Sequence, residues 1–179
     1  MKLIFEKFGL FFRPVEEYDA TFILNLRTNP LLSKFLSETV PNIQGQKEWI
    51  RKYKNREKQN QEIYFIASDK IGGKLGLNRL YNFEKNCFEI GSWLYKPEIE
   101  MSIPILGDLA CRDFGFEVLG FPFCKFEVRK KNLSVVKYHL AFNPEKIAES
   151  DLNYYFKLSQ KNYKQHRDKL LKILSYGQK

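Results

Sequence analysis

The sequence predicts a single α+β domain over residues 1–179, and three observations support this prediction. The chain has 179 residues, of which 44% are hydrophobic and 28% charged, a composition typical of a globular domain with a buried core. Three consecutive apolar segments have strand periodicity and short turns between them, which predicts antiparallel pairing. Later strand and helix patterns alternate, and strand–helix–strand units need crossover connections.

The N-terminal half begins with one short strand and continues with helices. Acidic residues open the first helix, whose apolar residues recur at helical spacing until Asn29-Pro30 ends it. Pro41-Asn42 opens a longer helix with a basic outer face. The predicted elements are a strand at Leu10–Arg13, a helix carrying Tyr18, Phe22, Ile23 and Leu26, a short piece at Leu31–Leu36, and a helix containing Trp49, Ile50 and Tyr53.

The rest of the chain supplies most of the predicted sheet. A near-continuous apolar run is typical of a central strand, and two alternating segments follow it. The predicted strands are Ile63–Ala67, Lys74–Tyr81, Cys87–Tyr95, Phe123–Arg129 and Leu152–Leu158, and the predicted helices are Ile103–Val118, Asn132–Phe142 and Asn162–Leu174.

Charge and cysteine usage narrow the functional classes. A net charge of +9 attracts polyanions, including nucleic acid, membranes, coenzyme A and sugar nucleotides, without choosing among them. The first residues lack the unbroken apolar stretch of a signal peptide, and no run approaches the roughly 18 apolar residues of a membrane span. Cys87, Cys111 and Cys124 are odd in number and widely spaced. We therefore expect a cytoplasmic protein with no disulfide, no metal site and no membrane span.

Four segments carry patterns that are typical of one enzyme family. The most specific is the strand-to-helix segment from Phe126 to Asn132, followed by Val135–His139. The other three are Leu26–Pro30 with Trp49, the Glu-x-Gly strand Phe88–Leu94, and the closing strand Tyr154–Ser159. Together they resemble the GNAT superfamily of N-acetyltransferases, and within it the branch that modifies nucleotide-linked amino sugars.

The resemblance implies both an architecture and a donor. It implies an α/β/α sandwich whose mixed, mostly antiparallel sheet of about seven strands carries helices on both faces. It also implies a splay between strands 4 and 5 that receives the pantetheine arm of acetyl-CoA. The residues implied for the donor are Trp93, Leu94, Tyr95, Lys96, Ser102, Ile103, Asn132, Val135 and Tyr138.

Two segments depart from the family pattern. GNAT enzymes usually bind the pyrophosphate with a glycine-rich loop, whereas residues 96–104 contain no glycine. Pro104 removes one backbone donor, and Glu98 and Glu100 oppose an anion. Lys96 is the residue that could supply the missing positive charge. Asn143-Pro144 also replaces a pair that is usually Gly-Phe.

Acyl transfer to an amine requires a neutral nucleophile, a donor to the developing oxyanion and a proton for the departing thiolate. His139, seven residues after Asn132, aligns with the usual tyrosine acid of the family, and we predict it as the acid. Glu89 is the predicted base. The alternatives are an ordinary helix histidine and a paired structural carboxylate. The resemblance implies a main-chain N–H near Leu94 as the oxyanion donor.

The acceptor side is predicted from the same resemblance. An arginine suits a nucleotide diphosphate because its guanidinium binds in a bidentate way, and an ion pair between helices is the alternative. The residues expected to line this side are Arg27, Asn29, Glu38, Asn78 and Tyr81.

Three other functions stay open at this point. A protein-directed acetyltransferase would share the fold and the donor. The basic helix faces suggest a nucleic-acid-binding module, although no RNA-recognition or helix-turn-helix signature accompanies them. The glycine-free loop suggests a catalytically silent relative. A homodimer is also an expectation, because apolar strands could cover an exposed sheet edge.

Overall fold

The computed structural model of the chain describes residues 3–176, so residues 1–2 and 177–179 of the predicted domain lie outside the described residues. Within that range the strands are β1 (Phe5–Lys7), β2 (Leu10–Pro14), β3 (Ile63–Ser68), β4 (Lys74–Glu84), β5 (Cys87–Tyr95), β6 (Phe123–Arg129), β7 (Glu145–Glu149) and β8 (Asn153–Ser159). The helices are α1 (Ala20–Thr28), α2 (Pro30–Ser33), α3 (Ile43–Lys58), α4 (Ser102–Asp113), α5 (Leu133–Leu140) and α6 (Gln160–Tyr176). A 3₁₀ turn, Glu17–Asp19, precedes α1, and a π-helical turn, Phe114–Val118, follows α4.

The strands form one mixed sheet in the order β1-β2-β3-β4-β5-β6-β8-β7. Pairing is antiparallel from β1 through β4 and again among β6, β8 and β7, whereas β5 and β6 are parallel. The α+β class with a mostly antiparallel sheet is therefore confirmed. The parallel pairing joins Cys87–Glu89 to Phe123–Lys125. The predicted splay at this pair of strands stays a prediction.

The sheet has eight strands rather than about seven, and two of them were not predicted individually. β1 pairs with β2 through a two-residue turn in which Phe8 and Gly9 both have positive φ, the geometry of a tight hairpin. β7 is exposed along its whole length, so its sequence carries no alternation of apolar residues.

The chain divides into two compact units, residues 1–82 with 91–111 and residues 83–90 with 112–179. In the first unit, helices α1 and α3 cover the middle strands. Asn42 caps α3 by accepting hydrogen bonds from the backbone N–H groups of Gln44 and Gly45. The core of this unit consists of Val15, Ala20, Ile23, Leu26, Ile50, Tyr53, Tyr64, Ile66, Leu77 and Leu94.

The second unit has an aromatic core. Phe116 stacks on Tyr163 of α6 with ring centroids 4.9 Å apart, and Phe88 meets Phe116 edge-on at 5.2 Å. The prediction of a single domain stays a prediction.

Three expected absences, those of a membrane span, a metal site and a disulfide, concern the described part of the chain. No helix within residues 3–176 is long and apolar enough to cross a membrane. No cluster of three or more His, Cys, Asp or Glu side chains in the same range is placed to hold a metal ion. The three cysteines are buried there and form no disulfide.

Candidate active site

Strand β5 contains a backbone irregularity immediately before Trp93, the first of the residues predicted to bind the donor. Ser92 has a φ of 50°, in the left-handed region that a serine seldom adopts. The side-chain alternation is interrupted there, and Leu94 and Tyr95 are both buried although they are neighbours. Leu94 packs in the core beneath α1 and α3. Alternation in the sequence predicts Ser92 and Leu94 on one side of this strand and Trp93 and Tyr95 on the other, and a bulge-like residue at Ser92 shifts this period.

The connection from β5 to α4 is braced by side chains in place of glycines. The indole Nε1 of Trp93 donates to the Pro104 carbonyl over 2.8 Å. The Ser102 hydroxyl donates to Glu100 Oε1 over 2.6 Å, and the Ile103 N–H donates to the Glu100 carbonyl over 3.0 Å. A carboxylate therefore lies just before the first turn of α4, where it interacts favourably with the helix dipole but opposes a second anion.

Tyr95 occupies a slot formed by two glycines. A Cβ at Gly76 would lie 2.3 Å from the Tyr95 ring, and a Cβ at Gly107 would lie 1.8 Å from the Tyr95 hydroxyl. Burial raises the pKa of this phenol well above its ordinary value, so the hydroxyl stays protonated. It donates to Asn78 Oδ1 over 2.7 Å. Asn78 is fully buried, and its Nδ2 has no partner among the residues that the structure describes.

Lys96 follows β5 and is exposed. Its backbone N–H donates to the Leu75 carbonyl over 2.9 Å, which continues the pairing with β4. Its ammonium lies 5.8 Å from the ring centroid of Phe22 in α1. A positive charge is therefore held near the residues that replace the glycine-rich loop.

A pocket of about 490 Å³ lies around the end of α1 and the segment after α2. Arg27 and Glu38, two of the predicted acceptor residues, line it together. Its other lining residues are Thr28, Ser33, Leu36, Ser37, Thr39 and Pro41. Four of these carry hydroxyl groups, so the pocket offers donors and acceptors to a polar ligand.

The guanidinium of Arg27 forms a hydrogen bond through its Nε atom. Its Nε donates to Thr39 Oγ1 over 3.0 Å. The two terminal nitrogens have no partner within residues 3–176. The ion pair between helices considered as the alternative is therefore not formed with any described carboxylate. The charge of Arg27 also acts on buried Tyr64. Burial raises the pKa of Tyr64 to about 12, and the positive charge of Arg27 acts in the opposite direction.

The other predicted acceptor residues have different surroundings. Asn29 caps α2, since its side chain accepts from the Leu31 N–H over 2.9 Å. The ring of Tyr81 lies over Gly91, where a Cβ would come within 3.1 Å, and the guanidinium of Arg79 lies 4.7 Å from its centroid. Asn78 and Tyr81 are three residues apart on β4, so the pleat directs their side chains to opposite faces.

Arg79 is a residue that sequence reasoning missed. It bonds to buried Glu62, which also accepts from Arg56 Nε over 2.6 Å. Arg79 lies 5.3 Å from the Trp49 centroid in addition to its contact with Tyr81. The alternation of arginine and aromatic residues on one strand face was the available signal.

The predicted catalytic residues lie in the second unit. Glu89 is half-buried on β5 and is in register with Lys125 of β6. Lys125 has a raised pKa, first because of its hydrogen bond to Glu84, with a further contribution from the charge of Glu89. Glu89 therefore has the basic residue Lys125 beside it on the neighbouring strand.

His139 is buried on α5, and its ring lies 4.5 Å from that of Phe126 and 4.9 Å from that of Tyr138. Its Nδ1 lies 3.3 Å from Nη2 of Arg112, a fully buried arginine in α4 that sequence reasoning did not select. No sequence spacing connects these two residues, because they come from helices that are distant in the chain.

Asn132 and Val135, the other predicted donor residues of this unit, lie at the start of α5. Asn132 is the residue before the helix, and its Oδ1 accepts from the Ser134 hydroxyl over 3.2 Å. Both residues are half-buried.

Comparisons with known proteins show the family. The sequence profile described as an acetyltransferase (GNAT) domain matches residues 9–140. No curated protein sequence is significantly similar to this chain. The structure resembles apo FdhC, described as a nucleotide-linked sugar GNAT, with 34% identity, a TM-score of 0.85, and coverage of 96% of this chain and 98% of that chain.

Two more distant structures share the fold. Ribosomal-protein-S5-alanine acetyltransferase from Vibrio fischeri is 16% identical, with a TM-score of 0.74 over 89% of this chain and 98% of that chain. Spermidine N-acetyltransferase from Vibrio cholerae, in complex with CoA and spermine, is 18% identical, with a TM-score of 0.73 over 87% of this chain and 98% of that chain. From the profile match and the similarity to FdhC, the chain belongs to the GNAT acetyltransferase family.

Proposed function

We propose that this protein transfers the acetyl group of acetyl-CoA to the amine of a nucleotide-linked amino sugar. The observation that supports this most is the 34% identity to a nucleotide-linked sugar GNAT, which extends over 96% of the chain. The structures at 16% and 18% identity support the fold and do not favour their own acceptors here. We place the reaction in the cytoplasm and in surface-glycan biosynthesis, as the resemblance implies.

The acceptor pocket is consistent with such a substrate. Arg27 directs a guanidinium with two unpartnered terminal nitrogens toward a pocket rich in hydroxyl groups. A guanidinium binds two phosphate oxygens at once, and hydroxyl groups suit a sugar. In this proposal Arg27 binds the diphosphate, and Asn29, Glu38 and Tyr81 complete the acceptor side. Asn78 is fully buried, so in this proposal it supports the acceptor side indirectly, through its hydrogen bond with Tyr95.

On the donor side, acetyl-CoA binds in this proposal to β5, the start of α4 and the start of α5. The main chain at Trp93–Tyr95 binds the pantetheine arm, while Lys96, Ser102 and Ile103 accommodate the pyrophosphate. Asn132, Val135 and Tyr138 lie along the thioester. The positive end of the α4 dipole and the ammonium of Lys96 are the positive features available to a phosphate.

Starting from the sugar ammonium, the reaction needs two protons to leave the nitrogen and one proton to reach the sulfur. The sugar ammonium first loses a proton to Glu89 or to a water that it orients. The amine nitrogen then attacks the thioester carbonyl carbon, the C–S bond breaks, and the new amide releases a proton as the thiolate gains one. His139 contacts the reacting groups in this proposal.

A binding measurement followed by an activity screen tests the proposal. Calorimetry with acetyl-CoA should give a micromolar dissociation constant, about −8 kcal/mol. Thiol release should then be measured with nucleotide-linked amino sugars, with spermidine and an N-terminal alanine peptide as control acceptors. Turnover with an amino-sugar nucleotide alone is the expected result. Turnover with a control acceptor alone would overturn the acceptor class, and no binding at millimolar acetyl-CoA would overturn the enzyme assignment.

A further inference from the structure

The contact between Arg112 and His139 fixes where the imidazole carries its proton. Arg112 Nη2 and His139 Nδ1 are 3.3 Å apart. A guanidinium has donors and no acceptor, so the histidine nitrogen that faces it must accept. A neutral imidazole that accepts at Nδ1 has its single proton on Nε2.

Both side chains are held rigidly enough for this contact to persist. The ring of His139 and the guanidinium of Arg112 lie 4.5 Å and 4.7 Å from the Phe126 centroid. Arg112 Nη1 also donates to Cys124 Sγ over 3.5 Å. Arg112 is fully buried and His139 is 6% exposed, so water does not compete freely for either group.

A second proton on His139 is unfavourable in this arrangement. It would enter at Nδ1 and direct an N–H at the N–H of Arg112 over the same 3.3 Å. It would also place a second positive charge beside a guanidinium that is already buried. Arg112 from α4 and Tyr138 from α5 itself are among the titratable groups beside this ring, and Arg112 also contacts Cys124 of β6.

The other histidine of the chain provides an internal comparison. His166 Nδ1 lies 3.0 Å from the Asn162 carbonyl oxygen, which can only accept. The proton of His166 is therefore on Nδ1. The two histidines of this protein should carry their protons on different ring nitrogens.

We propose that Arg112 is a positioning residue that holds His139 as a neutral imidazole with its proton on Nε2, so that His139 acts in acyl transfer as a fixed hydrogen-bond donor and not as a general acid. The role of His139 in acyl transfer rests on the proposed function, whereas its protonation state does not. The proton balance allows this role, because the amine releases the proton that the thiolate takes up.

Nitrogen NMR of ¹⁵N-histidine-labelled protein near pH 7.5 tests the protonation state of His139 without requiring catalysis. The expected spectrum has an unprotonated Nδ1 and a protonated Nε2 for His139, and a protonated Nδ1 for His166. His166→Gln assigns the signals by removing one set. A protonated Nδ1 on His139 in the wild-type protein would overturn the proposal.

A matched pair of variants tests whether His139 acts in acyl transfer as a hydrogen-bond donor. In His139→Gln, the amide oxygen can accept from Arg112 while the amide nitrogen donates in place of Nε2. We expect His139→Gln to keep kcat within about 10-fold of wild type and His139→Ala to lose about 100-fold or more. Equal losses in the two variants, with unchanged acetyl-CoA binding, would instead establish acid catalysis. The NMR result stands even if every amino-sugar substrate fails.

Discussion

The Tyr95 hydroxyl donates to Asn78 Oδ1 over 2.7 Å, and both side chains are buried. This bond joins β5 to β4, three residues after the irregularity at Ser92. The phenol fits because Gly76 and Gly107 leave room for it. A buried pair of this kind stabilises mainly because the loss of one partner leaves the other without compensation.

Tyr95→Phe should lower the free energy of unfolding by about 1–3 kcal/mol, because Asn78 would then lack a partner at Oδ1 as well as at Nδ2. Urea unfolding measures the change. Asn78→Leu in the same background removes the stranded amide, so the double variant should be less destabilised than the sum of the single variants. Simple additivity would show that the hydrogen bond contributes nothing.

Gly107→Ala should destabilise the protein, because the new Cβ would meet the Tyr95 hydroxyl at 1.8 Å. Overpacking of this kind costs about 1–3 kcal/mol. Gly45→Ala in α3 is the matched control, since its Cβ would meet Asn42 at an ordinary 3.5 Å. The control should gain up to about 1 kcal/mol from helix propensity. Similar effects of the two substitutions on the melting temperature would contradict the glycine slot.

The sequence predicted the elements whose periodicity or caps are strong. Asn29-Pro30 and Pro41-Asn42 marked helix boundaries correctly because capping and proline act locally. The missed strand β1 depends on positive φ angles at Phe8 and Gly9, and β7 depends on pairing with β8 alone. Neither signal is a hydrophobic period, so pattern reading could not find them.

The candidate site was predictable only in part for a related reason. Arg27 and Glu38 were selected from the resemblance to the family, and they line one pocket. The role of Arg112 depends on a contact with a residue 27 positions away, which no local pattern encodes. Ser92 illustrates the same limit, because one residue with positive φ cancels the alternation from which the side-chain directions of β5 were inferred.

Glu100→Gln should strengthen acetyl-CoA binding by about two- to fivefold. The substitution removes a negative charge from the residues just before α4, and a charge near a helix N-terminus interacts with the helix dipole by about 0.3–1 kcal/mol. The Gln side chain can still accept from the Ser102 hydroxyl. Calorimetry at low and high salt measures the effect, which should shrink as salt screens it. Glu48→Gln, an exposed change on α3, controls for net charge, and an equal gain there would contradict a local effect.

Arg27→Ala should raise KM for the nucleotide-linked sugar by about 10- to 100-fold, the loss expected for hydrogen bonds to a charged group. The dissociation constant of acetyl-CoA should stay unchanged. Arg27→Lys should recover only part of the loss, because an ammonium cannot bind two phosphate oxygens in a bidentate way. Arg51→Ala, which removes an exposed pair with Glu17, is the control. An unchanged acceptor KM in Arg27→Ala would exclude this pocket as the diphosphate site.

Asp19→Asn should remove a pH-dependent contribution to stability. The carboxylate is buried and accepts from Arg13 over 2.7 and 2.8 Å, from Lys74 over 2.6 Å and from the Glu16 N–H over 2.9 Å. Burial alone would raise its pKa, but the hydrogen bonds from Arg13 and Lys74 outweigh it, and the pKa is lowered. A lowered pKa stabilises the fold above the unfolded-state value near 3.9, and this stabilisation is lost as the pH falls through the folded-state value.

At pH 7 we expect Asp19→Asn to lose about 1–3 kcal/mol, less than a fully buried pair would, because Arg13 and Lys74 remain partly exposed and hydrated. Below about pH 4 the difference from wild type should begin to shrink, since the carboxylate of the unfolded wild-type chain then takes up a proton, and it should vanish once the pH passes the lowered folded-state pKa. Urea unfolding from pH 7 to pH 3 measures both arms. Glu17→Gln, in an exposed pair, should change little at any pH. A difference between Asp19→Asn and wild type that stays constant down to pH 3 would show that the Asp19 charge does not stabilise the fold, and that the loss comes from packing alone.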